Sequence, residues 1–223
     1  MDDKWVTYAK KNRQVFLKKT LGNIKSQDNR AAIFMAGTPG AGKTEVATSL
    51  AELYEDIVRI DADDFRSQFP EYSGSNSDEF QKGASWLVEF TFTKVIERKL
   101  PFILDGTFAF SRALKNVERA IHHGFKPTIY FVYQEPLIAW DFTKAREKTE
   151  GRYMPKSAFI DAYFKSRANI ALVKQQLGNA IDLHIVMKDY KNHIVEVLSD
   201  ADDIEIVLQK KYTKSELEEI LND

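Results

Sequence analysis

The octet at residues 37–44, GTPGAGKT, carries the clearest chemistry in the chain. It fits the pattern G-x-x-x-x-G-K-[ST], in which glycines let the backbone curve around a phosphate group and direct successive N–H groups toward it. Lys43 would place a positive charge near the β- and γ-phosphates, and Thr44 would offer its hydroxyl to Mg²⁺. The pattern predicts a nucleotide-binding set made up of Gly37, Thr38, Pro39, Gly40, Ala41, Gly42, Lys43 and Thr44.

The flanking sequence decides between this interpretation and a chance match. Residues 31–36 form an apolar run suited to a buried parallel strand, and residues 45–52 place apolar side chains at helical spacing. A helix that begins near Gly42 would direct the positive end of its dipole at the same anion. Strand, glycine-rich loop and helix together favour nucleotide binding.

Carboxylates follow the next apolar segment, in the sequence IDADDFR at residues 60–66. A kinase of small molecules needs a carboxylate to accept the proton of the attacking hydroxyl. An aspartate at this position can equally cap a helix that follows the strand. We expect both roles to be filled by Asp61 and Asp63, one as a helix cap and one as a catalytic carboxylate.

A further apolar segment, FILDGT at residues 102–107, also closes on a carboxylate. Asp105 resembles the acid of a Walker B element, which helps to hold Mg²⁺. Two alternatives stay open, because Asp105 could instead bind substrate hydroxyls or belong to a surface Asp-Gly turn.

Basic residues and one isolated carboxylate complete the candidate set. Arg146 and Arg152 lie in a segment that could act as a lid, where guanidinium groups would stabilise the charge of a transferring phosphoryl group. The alternative is a solvated, charged helix end. Glu89 stands between aromatic residues on a largely apolar helix, so its carboxylate needs a protein partner or a ligand.

The elements that must position these residues alternate between strand and helix. Strands are predicted at 31–36, 56–61, 101–105 and 127–133, and helices at 42–54, 78–98, 111–123 and 135–147. This order predicts an α/β fold with a P-loop NTPase-like parallel sheet and helices on both faces, whose ligands bind beyond the carboxyl ends of the strands. The remaining predicted elements are a helix at 4–21, a helix at 155–177, a strand pair at 181–187 and 193–198, and a short helix at 214–221.

Composition limits the function classes. The 223 residues contain no cysteine and have a formal net charge of −1, which argues against a thiolate nucleophile and against general affinity for nucleic acid. No long apolar run is present, so we expect a cytoplasmic protein with no membrane partner. The helix at 4–21 is interpreted as packed on the domain, with a partner surface as the alternative.

The motifs together resemble the zeta toxin family, the PezT-like P-loop kinases of epsilon/zeta toxin–antitoxin systems. The resemblance spans residues 28–177 and rests on GTPGAGKT, on IDADDFRSQFP, on LDGT and on Arg146 with Gly151-Arg152. It implies a single P-loop kinase domain over residues 1–223, made of an N-terminal helix in 1–27, a core in 28–177 and C-terminal strands and helix in 178–223. It also implies ATP or GTP with Mg²⁺ as cofactors, UDP-N-acetylglucosamine as phosphate acceptor and an antitoxin protein as partner.

Carried over by position, the resemblance makes Asp63 the catalytic base. Lys43, Arg146 and Arg152 become phosphate-binding catalytic residues, and Thr44 and Asp105 become metal ligands. The implied substrate-binding residues are Glu89, Asp105, Thr107 and Arg112. Glu89 is included because it lies sixteen residues before Asp105, where the family has a sugar-binding glutamate.

The chain departs from the family on the acceptor side. Asp105 replaces a family glutamate, and the family arginine that shortly follows the Gly-Thr pair is missing from the sequence FAFSR at 108–112, so only Arg112 could substitute. The acceptor could therefore be another nucleotide-sugar, or an unrelated metabolite or antibiotic. A nucleotide-binding regulatory protein is a further alternative, although mere binding requires neither a base nor a lid.

Overall fold

The computed structural model describes residues 3–25, 30–189, 191, 193–208 and 212–222. Within these residues the chain forms one sheet with the strand order β2-β3-β1-β4-β5-β6. The strands are β1 (Ala31–Ala36), β2 (Val58–Asp61), β3 (Phe102–Asp105), β4 (Lys126–Tyr133), β5 (Asp182–Lys188) and β6 (Ile194–Leu198). β1 to β5 are parallel, and β6 pairs antiparallel with β5 at one edge. The predicted α/β fold and the late strand pair are confirmed.

The side chains of β1 explain why helices cover both faces of the sheet. Phe34 belongs to the large core cluster, which also contains buried residues of the helices at 4–21, 81–97, 113–122 and 156–177. Ile33 and Met35 belong instead to a second cluster with Val46 of the helix at 43–51. Successive side chains of a strand point to opposite faces, so an apolar strand needs cover on both sides. β1 is accordingly buried almost throughout.

Each predicted helix is present, most of them with different ends, and two short helices, at 62–66 and 204–207, are added to the predicted list. They are α1 (Lys4–Leu21), α2 (Lys43–Ala51), α3 (Ala62–Arg66), α4 (Gln81–Glu97), α5 (Ala113–His122), α6 (Pro136–Glu150), α7 (Lys156–Leu177), α8 (Ile204–Val207) and α9 (Lys214–Ile220). α2 and α4 are shorter than predicted. α6 is longer, because it continues until Gly151 adopts the left-handed conformation that ends many helices. No described helix is both long and apolar enough to cross a bilayer.

The short helix α3 was predicted only as a helix that Asp61 or Asp63 would cap, without bounds, and its cause is local. The side chain of Asp61 accepts a hydrogen bond from the backbone N–H of Asp63 at 2.9 Å. This is the bond of a helix N-cap, which satisfies a backbone donor that the first helical turn leaves open. The chain therefore turns into a helix directly after β2 and places Asp63 in its first turn.

The N-terminal helix α1 packs on the domain through its aromatic side chains. Trp5 and Phe16 are buried, and the ring of Trp5 lies 4.4 Å from that of Phe80 between centroids. Phe16 contacts Phe65 of α3 and Phe69 in the loop that follows it, with centroids 6.2 and 5.3 Å apart. α1 thus supports, from outside, the segment that carries Asp63.

Candidate active site

The loop at residues 37–42 joins β1 to α2, and it needs glycine at two close approaches. A Cβ at Gly37 would lie 2.3 Å from the carbonyl oxygen of Val132 on β4, and one at Gly40 would lie 2.0 Å from that of Ala139 on α6. Both separations are far below van der Waals contact, and both glycines have positive φ. Gly42 is the left-handed N-cap of α2, so the helix begins beside the loop with its first N–H groups available to an anion.

The side chain of Lys43 folds back and hydrogen-bonds to the backbone of the loop. Its Nζ donates a hydrogen bond to the carbonyl oxygen of Thr38 at 2.6 Å. Burial of the ammonium group lowers the pKa of Lys43 to about 8, and the negative charge of Asp105 opposes this change. The same residue experiences the charges of Arg146, Asp61 and Asp63, so the structure brings the predicted phosphate-binding residues and carboxylates into one electrostatic environment.

Asp61 and Asp105 are neighbours at the carboxyl ends of β2 and β3, where their Cα positions are paired in register. Arg59 links them, because its Nη2 donates to Asp61 Oδ2 at 3.0 Å and to Asp105 Oδ2 at 2.8 Å. Burial and the negative charges of Asp63 and Asp105 raise the pKa of Asp61 to about 6. Burial also raises the pKa of Asp105, although Arg59 and Lys43 oppose it.

Asp63 differs from its neighbours because two arginines hold its carboxylate. Arg66 donates to Oδ1, and Arg152 Nη1 lies 2.5 Å from Oδ2. Burial alone would raise the pKa of Asp63, but the charges of Arg66 and Arg152 outweigh it and keep the pKa below its ordinary value. Asp63 is therefore ionised over the whole neutral range, as the acceptor of a proton must be.

The segment predicted as a lid is the end of α6 and the chain that follows it. Arg146 pairs with Glu150 one turn later, with Nη2 and Oε2 3.1 Å apart. Gly151 ends the helix, and Arg152 then reaches Asp63. The loop between α3 and α4 closes against this end of α6, because a Cβ at Gly74 would lie 2.7 Å from the carbonyl oxygen of Glu150.

The predicted acceptor-side residues lie in two places. Thr107 borders the phosphate loop, since its carbonyl oxygen accepts a hydrogen bond from the N–H of Gly37 at 3.2 Å. Glu89 is joined instead to α5: Arg119 donates to its Oε1, and Asn116 Nδ2 donates to its Oε2 at 3.3 Å. Arg112 is exposed at the N-cap position of α5. The Glu89 carboxylate was expected to need either a protein partner or a ligand, and the structure shows protein partners.

The family assignment follows from comparison with known proteins. The family model for zeta toxin matches residues 16–199. The chain belongs to the zeta toxin family. Comparison with curated proteins gave no match, so the remaining relatives are solved structures.

Solved structures share the zeta toxin fold at low sequence identity. The first is from the PezAT chromosomal toxin–antitoxin system of Streptococcus pneumoniae, with a TM-score of 0.65 and 21% identity, over 95% of this chain and 90% of that one. The complex of AvrRxo1-ORF1 and AvrRxo1-ORF2 has a TM-score of 0.59 and 12% identity, over 91% and 70%. The same complex with ATP has a TM-score of 0.57 and 12% identity, over 87% and 64%.

Three arginines of this zeta toxin site were missed by sequence reasoning: Arg59, Arg66 and Arg119. Arg59 precedes Asp61 by two positions on one strand, a spacing that puts both side chains on the same face, so strand periodicity could have found it. Arg66 follows Asp63 by one helical turn, which becomes visible only once α3 is known. Arg119 meets Glu89 from a different helix, and no local pattern signals that contact.

The donor set fits the Mg²⁺ that accompanies a nucleotide. Thr44 and Asp105 offer oxygen atoms, the ligands that Mg²⁺ prefers, and Mg²⁺ usually adds water and phosphate oxygens to one or two protein groups. Arg59 hydrogen-bonds Oδ2 of Asp105, and the second carboxylate oxygen is the candidate ligand atom. No group of three acidic, histidine or cysteine side chains in the described part of the chain is arranged to hold a metal by itself.

Replacing Asp61 with asparagine is expected to stabilise the protein above pH 6. The folded-state pKa of Asp61 is about 6 against an ordinary value of 3.8, so the folded state binds more protons between these values. The contribution of Asp61 to the stability of the folded state is complete below about pH 3.8 and disappears as the pH rises through about 6. Asparagine keeps the helix cap without the charge, and a pKa shift of this size corresponds to about 3 kcal/mol.

The measurement is the free energy of unfolding by urea from pH 4 to pH 8, compared between the wild type and Asp61→Asn. The difference between the two curves isolates Asp61 from other carboxylates, such as Asp63, whose pKa is shifted the other way. A difference that does not grow between pH 4 and pH 6 contradicts the electrostatic account of this cluster.

Proposed function

We propose that the chain is a small-molecule kinase that uses ATP or GTP and phosphorylates a sugar hydroxyl of UDP-N-acetylglucosamine or a related nucleotide-sugar. The observation that carries the proposal is the contact between Arg152 and Asp63. A phosphate-binding cation and an ionised carboxylate meet beside a loop built for a nucleotide. Nucleotide binding alone would not need that contact.

The proposed reaction assigns one role to each group. Asp63 accepts the proton of the acceptor hydroxyl while that oxygen attacks the γ-phosphorus in line, and the bond to the β,γ-bridging oxygen breaks to release the nucleoside diphosphate. Lys43, Arg146 and Arg152 neutralise the charge on the transferring group. Thr44 and Asp105 would hold Mg²⁺, which would supply further positive charge to the phosphates when bound. Support for ATP comes from the AvrRxo1-ORF1:AvrRxo1-ORF2 complex solved with ATP, which shares the fold.

Each cationic group has a partner within the protein. Lys43 binds the Thr38 carbonyl, Arg146 binds Glu150 and Arg152 binds Asp63. A bound triphosphate would compete for the same hydrogen-bond donors. We therefore propose that nucleotide binding draws Arg152 away from Asp63 and frees the carboxylate for the acceptor hydroxyl.

An acceptor other than UDP-N-acetylglucosamine is the second candidate, and one arrangement favours it. The carboxylate of Glu89, the proposed sugar-binding group, is already engaged by Arg119 and Asn116. Asp105 is likewise engaged by Arg59. A sugar would have to displace these donors or be recognised by other groups.

An antitoxin partner is proposed on the same family grounds. The PezAT structure belongs to a toxin–antitoxin system, and a toxin of this kind needs its active site blocked in the producing cell. We propose that such an antitoxin covers the nucleotide site between the phosphate loop and Arg152.

The test is mass spectrometry of the purified protein incubated with ATP, Mg²⁺ and a panel of UDP-sugars. We expect UDP-N-acetylglucosamine or a close relative to gain the mass of one phosphate. The gain should be absent with Asp63→Asn. No gain on any UDP-sugar, with ATP still bound, would overturn the nucleotide-sugar proposal and direct the search to other metabolites bearing a hydroxyl.

A further inference from the structure

The C-terminal residues 212–222 pack against α6, the helix that carries Arg146 and ends just before Arg152. The zeta toxin match ends at residue 199, so α9 lies outside the part of the chain that the family model covers. Leu217 and Leu221 of this segment are buried. They share one apolar cluster with residues of α6 and α7, namely Ala139, Trp140, Phe159, Ile160 and Tyr163.

Hydrogen bonds hold the same segment at both of its ends, at Tyr212 and at Leu221 and Asn222. Trp140 of α6 donates its indole N–H to the carbonyl oxygen of Asn222. Lys156, the first residue of α7, donates to the carbonyl oxygen of Leu221 at 3.0 Å. The hydroxyl of Tyr212 donates to Glu135.

Glu135 connects this segment to the start of α6. Its Oε2 accepts hydrogen bonds from the N–H groups of Leu137 and Ile138 at 2.8 and 3.3 Å, so it is the N-cap of the helix. Its other oxygen, Oε1, accepts from Tyr212. The cap of α6 and the C-terminal segment are therefore held by one carboxylate.

α6 lies between this segment and the phosphate loop. Ala139 belongs to the C-terminal cluster, and its carbonyl oxygen is the atom that a Cβ at Gly40 would strike. Beyond α6, Met154 packs against the same cluster, only two positions after Arg152. The segment thus contacts α6 near the loop and also the chain that follows Arg152.

We propose that residues 212–222 position Arg146 and Arg152 by holding α6 and the 151–155 connection against the phosphate loop. The proposal rests on the phosphate-binding role given to the two arginines above. A rigid support matters because small displacements of a phosphate-binding group reduce catalysis strongly. Tyr212 and Leu217 act through the arginines and are positioning residues.

The test compares Leu217→Ala with Leu100→Ala in the full chain. Both leucines are buried, at 0% and 3% exposure, but Leu100 belongs to the other large cluster and precedes β3, at the end of the sheet opposite the phosphate loop. We expect Leu217→Ala to weaken binding of a non-hydrolysable ATP analogue with Mg²⁺ by about tenfold, because the donors are no longer preorganised. Amide hydrogen exchange should accelerate selectively at residues 144–154. Leu100→Ala should leave both properties at the wild-type level.

A double-mutant cycle separates positioning from a general loss of structure. If α9 acts through Arg152, adding Leu217→Ala to Arg152→Ala should weaken analogue binding less than it does in the wild type. Full additivity would overturn the proposal. Tyr212→Phe provides a milder variant that keeps the ring, and its exchange at residues 144–154 should also increase.

These measurements stay informative if the kinase assignment fails. Faster exchange and weaker analogue binding in Leu217→Ala would support the positioning role even when the wild type phosphorylates no UDP-sugar. Unchanged exchange at 144–154 and unchanged analogue binding, in both Leu217→Ala and Tyr212→Phe, would overturn it even when the wild type is an active kinase.

Discussion

Replacing Arg152 with alanine is expected to lower the rate of phosphoryl transfer by about a thousandfold or more, the range seen when a transition-state arginine is lost. In the proposed mechanism Arg152 is the lid cation at the reaction centre, since its guanidinium contacts Asp63. The transition state spreads negative charge over the equatorial oxygens of the γ-phosphate, and no other residue of the 151–155 connection can neutralise it. The measurement is the transfer rate at saturating ATP and acceptor.

Two further variants test whether the lower transfer rate of Arg152→Ala comes from the loss of its guanidinium group. Arg152→Lys keeps a charge but loses the planar fork, so we expect it to restore only part of the rate. Arg13→Ala removes an exposed arginine of α1, which donates to the Lys10 carbonyl oxygen, and should leave the rate unchanged. A rate for Arg152→Ala within a few-fold of the wild type would show that Arg152 does not stabilise the transition state, although it contacts Asp63.

The features that sequence reasoning predicted are those with local causes. The strand–loop–helix unit around residues 37–44 depends on glycine conformations and on apolar periodicity within one segment. The expectation that Asp61 or Asp63 would cap a helix was also met, because capping is an interaction between near neighbours. The glycine at 151 could have marked the end of α6, but the predicted helix stopped earlier, at residue 147.

The features that were missed depend on contacts between distant segments. Arg59 and Asp105 are 46 positions apart, and Glu89 and Arg119 are 30 positions apart. Which charges meet is decided by strand order and helix packing, and these are not encoded in spacing. For this reason the sequence indicated that Glu89 needed a partner and could not indicate that the partner is Arg119.

The phosphate side and the acceptor side of the candidate site therefore differ in how specific their chemistry is. The phosphate side uses backbone geometry and charges that any nucleoside triphosphate satisfies. On the acceptor side, the carboxylates of Asp105 and Glu89 are both neutralised by arginines of the same protein. In the proposed reaction, an acceptor would displace these arginines from the carboxylates, or it would be recognised by the carboxylate–guanidinium pairs or by other groups.

Replacing Asp63 with asparagine is expected to lower the transfer rate by about 10²- to 10⁴-fold, the usual contribution of a positioned general base. Asparagine has nearly the same shape and cannot accept the proton. ATP affinity should be retained or improved, because the change removes a negative charge beside the phosphates and frees Arg152 from its resting partner. The expected signature is a loss in kcat without a rise in the KM for ATP.

Asp64→Asn is the matched control, because it makes the same chemical change one position away on the exposed side of α3. It should leave kcat and KM unchanged. A normal kcat for Asp63→Asn would remove the base assignment, since no proton acceptor would remain at that position. A raised KM with normal kcat would instead mean that Asp63 orders Arg66 and Arg152 for nucleotide binding and takes no part in the proton transfer.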